Sequence, residues 1–401
     1  MSEVEVMSSD AVDVDVDPFS DAYILHPYPF HAVLRDAGPL VKLPRWNVWC
    51  MARFDQVRRA LMDPQTFCSG AGVGISNSRK EAPWRPPSML LETDPPAHTA
   101  NRAAISRTLS PAAIRSLRER FESEAHRLVD SLLDQPTVDV VREMAEAFPL
   151  KVFADAIGIR PDGRDNLVAY GNMVFNGMGP RNELWHAAMA NAEAVSKWVL
   201  DACRRDSLDP NGLGIQIYAS VDSGEFTEEQ AALMVRSFLS AGIDTTAHAL
   251  ASAMWLFAEH PAQWQKLREE PARVKNAFEE ILRFESPFQM VFRTTTRDCV
   301  IDGVRILADE KVLLSLGAAN RDPRKWPEPD RFDVTRAVTG HVGFGAGIHG
   351  CVGQMIARME VEALLAALLE EISRIELADE PLRVRHNTLR GFEKLRVRLR
   401  R

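Results

Sequence analysis

The sequence predicts a mainly α-helical fold with a minor β portion. Apolar residues recur with a 3.6-residue period along most of the chain, whereas only two short stretches are rich in β-branched and aromatic residues. The chain has 401 residues, 46% of them hydrophobic, which is enough for a large apolar core. The clearest periodic segments predict helices at residues 114–133, 184–204, 227–260, 271–284 and 354–375.

The two β-rich stretches predict short hairpins. Residues 40–52 combine valine, leucine and tryptophan, which favour extended backbone. Residues 300–314 have Asp302-Gly303 at the expected turn, a pair that tolerates the positive φ of tight hairpin turns. The β portion is therefore expected to be small.

The predicted helix at residues 227–260 has a weak point near its middle. Gly242, Thr245 and Thr246 all lower helical propensity, and a threonine hydroxyl can divert a helical carbonyl from its usual partner. Threonines bonded back to their own helix are the ordinary alternative. We expect a loosened turn here, with a groove beside it.

The domain organisation is predicted to be simple. Residues 1–17 alternate small apolar residues with carboxylates and are expected to form a flexible acidic leader. No internal repeat and no long Gly/Ser-rich or Pro-rich linker divides the remainder. Residues 18–401 are therefore expected to be a single domain.

Charge and cysteine usage exclude several classes of protein. The formal net charge of −8 argues against a general nucleic-acid or anionic-membrane binder. Five scattered cysteines, none at zinc-clip or redox spacing, argue against a disulfide framework. No signal peptide and no run of about 18 apolar residues occurs in the sequence. We expect a reduced, soluble, cytoplasmic protein.

The segment Phe344-Gly-Ala-Gly-Ile-His-Gly-Cys-Val-Gly353 carries the strongest chemical signal. Four glycines and Cys351 stand in ten residues, directly before the predicted helix at 354–375. Such a loop brings backbone N–H groups toward a sulfur atom while a flat ligand lies against it. A glycine-rich connection with a structural cysteine is the plainer alternative.

This segment resembles the haem-binding loop of the cytochrome P450 superfamily, because it matches Phe-Gly-x-Gly-x-His-x-Cys-x-Gly at every fixed position. The resemblance runs from about residue 27 to the C-terminus and is closest to soluble bacterial members. It implies the cytochrome P450 fold, with haem b between the long distal helix and the cysteine loop. It further implies that Cys351 is the axial thiolate ligand of the haem iron and that Phe344 contacts the haem.

Other family signatures follow in the expected order. Glu280 and Arg283, with Arg331 as third partner, match the family's structural lock. Asp244 and Thr245 match its acid–alcohol pair and are implied to deliver protons. The residues that match the family's propionate-binding set are His98, Arg102, Arg293 and His349.

The substrate pocket resembles that of bacterial family members that oxidise para-substituted benzoic acids, including O-demethylation of 4-methoxybenzoate. Arg85, Ser88 and Ser240 are implied to hold the carboxylate. External salt bridges of Arg85 and Arg236, with Ser240 only filling space, are the ordinary alternative. Met178 and Val291 depart from the aromatic residues expected in that subfamily, which leaves preference for the para substituent open. The residues implied to complete the pocket are Leu91, Phe175, Arg236 and Val291.

The implied activity is a haem-thiolate monooxygenase that uses dioxygen and two electrons. Electrons are expected from an iron–sulfur ferredoxin with an NAD(P)H-dependent reductase. A monooxygenase of a neutral hydrophobe such as a terpene is the alternative substrate class. A haem-based gas sensor or carrier is the non-enzyme alternative, disfavoured because a carrier gains nothing from Asp244 and Thr245 as proton donors. The arginines proposed as the ferredoxin-docking face, or else as a solvated basic face, are Arg102, Arg107, Arg115, Arg118 and Arg120.

Overall fold

Helices make up most of the ordered elements, as the 3.6-residue periodicity predicts. The structure is a computed structural model and describes residues 12–401. Its α-helices are, in chain order, α1 Asp21–Leu25, α2 Tyr28–Ala37, α3 Phe54–Met62, α4 Ala97–Thr108, α5 Pro111–Leu133, α6 Ala147–Ile157, α7 Asp165–Asn176, α8 Glu183–Ala188, α9 Ala192–Ala202, α10 Leu213–Ile217, α11 Ala219–Asp222, α12 Glu228–Gly242, α13 Asp244–Glu259, α14 Pro261–Glu269, α15 Val274–Glu285, α16 Leu316–Asn320 and α17 Gln354–Glu371.

The strands form one larger sheet and three small ones. In the larger sheet the strand order is β1-β2-β3-β9-β6-β4, and the smaller sheets are β10-β13-β5, β11-β12 and β7-β8. The strands are β1 Val12–Asp13, β2 Val41–Leu43, β3 Val48–Met51, β4 Phe67–Cys68, β5 Val138–Asp139, β6 Met290–Thr295, β7 Cys299–Ile301, β8 Val304–Ile306, β9 Lys311–Ser315, β10 Arg374–Leu377, β11 Leu382–Arg383, β12 Phe392–Lys394 and β13 Arg396–Arg400. The mainly α prediction with a minor β portion is confirmed.

The expectation of a flexible leader at residues 1–17 is wrong for residues 12–17. Residues 12–17 begin with β1, which pairs in parallel with β2, and the side chains of Val14 and Val16 are buried. Valines alternating with carboxylates are the pattern of a strand with one buried face, and the larger sheet supplies that face. Residues 1–11 lie outside the described part of the chain.

Both predicted hairpins form, but the second is shorter than expected. β2 and β3 are antiparallel neighbours within residues 40–52. β7 and β8 are joined at Asp302 and Gly303, which have φ values of 46° and 91°. Residues 311–315 leave this hairpin and form β9, which pairs with β6 in the larger sheet.

Two of the predicted helices are interrupted, and a third ends earlier than predicted. The segment 184–204 forms α8 and α9, and the segment 227–260 forms α12 and α13, which meet at Ile243. The segment 354–375 stops being helical after Glu371, and its end enters β10. The break at Ile243 lies beside the helix-weakening residues that predicted a loosened turn.

The predicted structural lock contains one wrong residue. Glu280 and Arg283 are fully buried and form a two-pronged ion pair, with Nε to Oε2 at 2.6 Å and Nη2 to Oε1 at 2.8 Å. The third partner is Arg336, whose Nε donates to Glu280 Oε1 at 3.2 Å. Arg331 instead pairs with Glu328 at 3.2 Å and is largely exposed. Arg336 reaches the buried carboxylate because the chain turns back after residue 333, which spacing does not reveal.

The corrected lock predicts unequal costs for two arginine substitutions. Arg336→Ala should lower the free energy of unfolding by about 1–3 kcal/mol, since it removes a charge-assisted bond from buried Glu280. Arg331→Ala should change it by less than about 0.5 kcal/mol, because exposed ion pairs contribute little. Denaturant unfolding of the haem-loaded variants measures both. An equal or larger loss in Arg331→Ala would contradict the corrected assignment.

Candidate active site

The loop before α17 is shaped by two glycines in the left-handed region. Gly345 and Gly347 have φ values of 69° and 68°. A Cβ on Gly347 would lie 2.4 Å from the carbonyl oxygen of Leu61, so only glycine allows this approach to α3. The N–H of Cys351 donates to the carbonyl of Phe344 at 2.8 Å. The loop therefore holds Cys351 in a fixed position at the start of α17.

The sulfur of Cys351 is surrounded by hydrogen-bond donors. The backbone N–H groups of Gly353 and Gln354 point at it, and the guanidinium groups of Arg102 and Arg358 lie nearby. Burial nevertheless raises the pKa of the Cys351 thiol, and these groups only partly oppose that effect. A coordinated cation would deprotonate the thiol outright, so this environment fits a metal-bound thiolate.

Three of the four residues of the predicted propionate-binding set line the same cavity, and the fourth lies against one of them. Arg102, Arg293 and His349 line the cavity with Cys351. The ring of His98 lies 4.4 Å from that of His349.

Their polar atoms are incompletely satisfied. Among the described residues, Nε2 of His98 and both ring nitrogens of His349 are buried without a partner of good hydrogen-bond geometry, although the backbone of Leu90 lies close to the His349 ring. Burial, and then the charge of Arg293, lower the pKa of His349 to about 3. Buried ring nitrogens without partners, beside the guanidinium groups of Arg102 and Arg293, fit the propionates of a haem. The loop and Cys351 fit its face. Within residues 12–401 no cluster of three His, Cys, Asp or Glu residues offers a conventional metal site.

The opposite wall of the cavity is the junction between α12 and α13. Ile243 lies between the two helices with φ −96° and ψ −63°. The hydroxyl of Thr245 donates to the carbonyl of Ala241 at 2.7 Å, so Thr245 bonds back to the preceding turn, as the ordinary alternative expected. Thr245 and Gly242 both line the cavity. The expected groove beside the loosened turn is present.

Asp244 points in a different direction from Thr245. A Cβ on Gly171 of α7 would lie 2.3 Å from the Asp244 carboxylate, so the carboxylate fills the space over that glycine. Burial, reinforced by Glu146, raises the pKa of Asp244 well above its ordinary value. Asp244 and Thr245 are thus adjacent in the chain, with Thr245 at the cavity and Asp244 facing α7.

Glu360 is a cavity residue that the sequence reading missed. This glutamate of α17 is 1% exposed and lines the cavity. The hydroxyl of Thr246 faces it, but within the described structure neither carboxyl oxygen has a partner of good hydrogen-bond geometry. Burial raises its pKa to about 8. A single glutamate in an amphipathic helix gives no sequence signal of this kind.

Glu360 should make stability fall as pH rises. Between its ordinary pKa of 4.5 and its folded pKa of about 8, the folded state keeps a proton that the unfolded state has lost. Glu360→Gln should therefore flatten the decline in unfolding free energy across that window. Glu370→Gln, on the exposed side of the same helix, is the control. Unfolding of haem-loaded protein at several pH values measures the slope, and identical slopes in both variants would contradict this reading.

The three residues predicted to hold a carboxylate line the cavity, whereas Arg236, predicted to complete the pocket, is not among its lining residues. These three are Arg85, Ser88 and Ser240. Arg236 is buried, and its Nη2 donates to the carbonyls of Pro86 and Pro87 at 2.9 and 3.2 Å, so it holds the loop that carries Arg85. The predicted stripe on α12 is therefore split between the cavity and the loop behind it.

Arg85 is already ion-paired. Its Nη1 lies 2.9 Å from Oε2 of Glu92, and the same oxygen accepts the backbone N–H of Ser88 at 2.7 Å. The Nε of Arg85 is buried and has no partner in the described part of the chain. The guanidinium thus keeps an unused donor. Sequence spacing gave no indication of the contact with Glu92.

Apolar side chains surround the rest of the cavity. Phe175 packs edge to face on Phe288, with ring centroids 5.5 Å apart. Val291 and Arg293 are two residues apart on β6, which places both on its cavity face. The predicted substrate-contact residues at this wall are Leu91, Phe175 and Val291. The other apolar residues that line it are Met178, Phe288 and Leu316.

A C-terminal loop holds Phe175 in place, which the sequence did not indicate. The hydroxyl of Thr388 donates to the carbonyl of Phe175 at 2.9 Å. The backbone N–H of Asn387 donates to Oδ1 of Asn176 at 3.0 Å, and its Nδ2 donates to the Asn176 carbonyl at 3.1 Å. These contacts supply partners to the last carbonyls of α7. The cavity wall therefore depends on residues more than 200 positions away in the chain.

The arginines proposed as a docking face do not form one uniform surface. Arg102 lines the cavity, and Arg107 pairs with Glu225 at 2.6 Å. Arg118 pairs with Glu122 at 3.4 Å. Arg115 and Arg120 are exposed.

Within the described residues no helix is long and apolar enough to cross a membrane.

Comparison with known proteins identifies the family. The sequence profile of the family "Cytochrome P450" matches residues 213–387. The chain is 49% identical over 385 residues to cytochrome P450 CYP199A2 of Rhodopseudomonas palustris, covering 96% of this chain and 93% of that protein. It is 31% identical over 387 residues to the vitamin D(3) 25-hydroxylase of Pseudonocardia autotrophica, covering 95% and 96%.

Solved structures agree with the sequence relatives. Cytochrome P450 CYP109Q5 of Chondromyces apiculatus superposes with a TM-score of 0.81 at 28% identity, covering 97% of this chain and 98% of that one. P450BioI, solved with an acyl carrier protein, superposes with a TM-score of 0.82 at 27% identity, covering 94% and 100%. These matches agree with the cysteine loop and the broken distal helix that line the cavity. The chain therefore belongs to the cytochrome P450 family of monooxygenases, which bind haem b.

Proposed function

We propose that the protein oxidises a small para-substituted aromatic carboxylic acid such as 4-methoxybenzoate. One observation carries the proposal: Arg85 and Ser88 line the same mostly apolar cavity as the Cys351 loop. A basic group in an otherwise apolar pocket suits a carboxylate with an aromatic body. The resemblance to benzoate-oxidising family members supports the same substrate class.

Each residue has a defined task in this proposal. Haem held by the Cys351 thiolate supplies the activation of dioxygen with two electrons and the insertion of one oxygen atom into a C–H bond. Arg85 and Ser88 bind the substrate carboxylate, with Ser240 beside them. Phe175 and Val291 flank the aromatic ring, so that the para substituent points toward the Cys351 loop.

The expected products follow from the chemistry of a methoxy group. Insertion of oxygen into a methyl C–H bond converts the ether to a hemiacetal. The hemiacetal loses formaldehyde and leaves a phenol, so 4-methoxybenzoate gives 4-hydroxybenzoate. We propose that the electrons come from an iron–sulfur ferredoxin and an NAD(P)H-dependent reductase.

A ligand titration tests the substrate class. Binding of 4-methoxybenzoate to the haem-loaded protein should shift its absorption spectrum toward the high-spin form, because the ring displaces water from the cavity. The methyl ester has the same shape without the anion and should bind much more weakly. Equal affinity for acid and ester, with tighter binding of a terpene, would favour the alternative of a neutral hydrophobe. The family assignment would stand in either case.

The proposed proton-delivery residues should differ in their effects. Thr245→Ala removes the hydroxyl at the cavity wall, so electrons should be consumed with less product and more hydrogen peroxide. Asp244→Asn removes the buried acid behind it and should slow turnover itself. NADH consumption, product and peroxide are measured together. Unchanged coupling and rate in both variants would remove these two roles.

A further inference from the structure

The carboxylate of Glu92 already uses donors of Arg85 and Ser88, the two residues that the proposed function assigns to the substrate carboxylate. Its Oε2 accepts from Nη1 of Arg85 at 2.9 Å and from the backbone N–H of Ser88 at 2.7 Å. The Arg85 and Glu92 side chains are only 11% and 18% exposed, so water screens this pair weakly. An acidic side chain of the protein therefore lies where the proposed function places the anion of the ligand.

The local charge supports a competitive relation. Arg85 and Arg236 carry one positive charge each, and Glu92 carries the single carboxylate paired with Arg85. Arg236 is close enough for the charges of both Arg85 and Glu92 to act on it. Two guanidinium groups with one carboxylate leave one positive charge, which a bound benzoate neutralises. With Glu92 uncharged, the same benzoate would meet two positive charges and no competing anion.

We propose that Glu92 is an internal counter-anion that competes with the substrate carboxylate for Arg85 and the Ser88 N–H and thereby limits the affinity for acids. The proposal rests on the proposed function, because it concerns the same carboxylate-binding residues. In the ligand-free protein Glu92 balances a largely buried guanidinium that would otherwise lack a counter-charge. During turnover it weakens the hold on the product.

The proposed competition between Glu92 and bound acids favours release of the product. Oxidation at the para position leaves the carboxylate intact, so product and substrate share the same anchor. An anchor that bound acids without competition would hold both tightly and would slow release of the product. Glu92 is tethered four residues from Ser88 and can return to both donors as the product leaves.

The competing explanation is that Glu92 only orients Arg85. Glu92→Gln separates the two, because an amide oxygen can still accept from Arg85 and from the Ser88 N–H while the charge is lost. Removal of a competing charge should tighten binding of acids. Loss of an orienting charge should weaken it.

The experiment titrates haem-loaded wild type, Glu92→Gln and Glu81→Gln with 4-methoxybenzoate and with its methyl ester. Glu81 is an exposed glutamate of the same region that contacts Ser76 and serves as the charge-matched control. Glu92→Gln should bind the acid about 3- to 30-fold more tightly, as expected for removing a like charge a few ångströms away at a partly screened site. Its affinity for the ester should not change, and Glu81→Gln should match wild type with both ligands.

The other outcomes distinguish failure of the proposal for Glu92 from failure of the proposed function. If Glu92→Gln binds the acid as tightly as wild type or more weakly, the proposal for Glu92 is overturned. The proposed function still stands in that case if wild type prefers the acid over the ester. No such preference in wild type would overturn both. If Glu92→Gln fails to fold, a structure of wild type with 4-methoxybenzoate decides. The ligand carboxylate should then accept from Arg85 and Ser88 with Glu92 turned away, and Glu92 still bonded to both donors would overturn the proposal.

Discussion

Replacing Cys351 by His should abolish the strongly red-shifted Soret band of the reduced carbon monoxide complex, together with all monooxygenase activity. The band is characteristic of a haem bound by a thiolate, and an imidazole would donate less electron density to the iron. The backbone N–H groups of Gly353 and Gln354 are aimed at the sulfur position and give an imidazole no equivalent set of contacts. Ultraviolet-visible spectra of the dithionite-reduced, carbon-monoxide-saturated protein make the measurement.

Cys299→Ser is the matched control for that substitution. Cys299 lies at the start of β7, partly exposed and outside the cavity lining given by the described residues. This variant should keep both the band and the activity. A red-shifted band retained in Cys351→His would show that another residue holds the iron.

Arg85→Ala should weaken binding of 4-methoxybenzoate by about 10- to 100-fold, which corresponds to a charge-assisted interaction of about 1.5–3 kcal/mol. The methyl ester should lose far less, because it offers no anion to the guanidinium. The ion pair at 2.9 Å adds a second reason for the loss, since removing Arg85 leaves the Glu92 carboxylate to repel an acid. Spectral titrations with both ligands give the two ratios.

The double variant Arg85→Ala/Glu92→Gln separates these two contributions. It should recover part of the affinity for the acid, because the repelling charge is removed while the anchor stays absent. Arg45→Ala is a suitable control, since Arg45 is a largely exposed arginine paired with Asp17 in another part of the fold. Equal losses for acid and ester in Arg85→Ala would show that Arg85 supports the loop and does not bind the carboxylate.

Local patterns predicted the parts of the site that are contiguous in sequence. The glycines and Cys351 stand in one ten-residue segment, so their spacing alone defines the loop. The weak point around Gly242 and Thr245 was visible because helical propensity is a local property. These features need no knowledge of which distant segments meet.

Contacts between distant or irregular segments could not be predicted in this way. Arg336 replaces Arg331 in the lock because of the path of the chain between them, and the spacing of Glu280 and Arg283 says nothing about that path. Glu92 reaches Arg85 through a loop turn. Glu360 becomes unusual only because α13 and α17 bury it, while its helix position resembles that of any glutamate in an amphipathic segment.

Reconstituted turnover tests the central claim most directly. Haem-loaded protein, a ferredoxin, its reductase and NADH are incubated with 4-methoxybenzoate in air, and 4-hydroxybenzoate and formaldehyde are quantified. A monooxygenase for para-substituted aromatic acids should form the two products in equal amounts, with none from the Cys351→His variant. The preparation must be reduced normally, bind the acid and oxidise a terpene under the same conditions. If such a preparation forms neither product from 4-methoxybenzoate, the proposed function is contradicted.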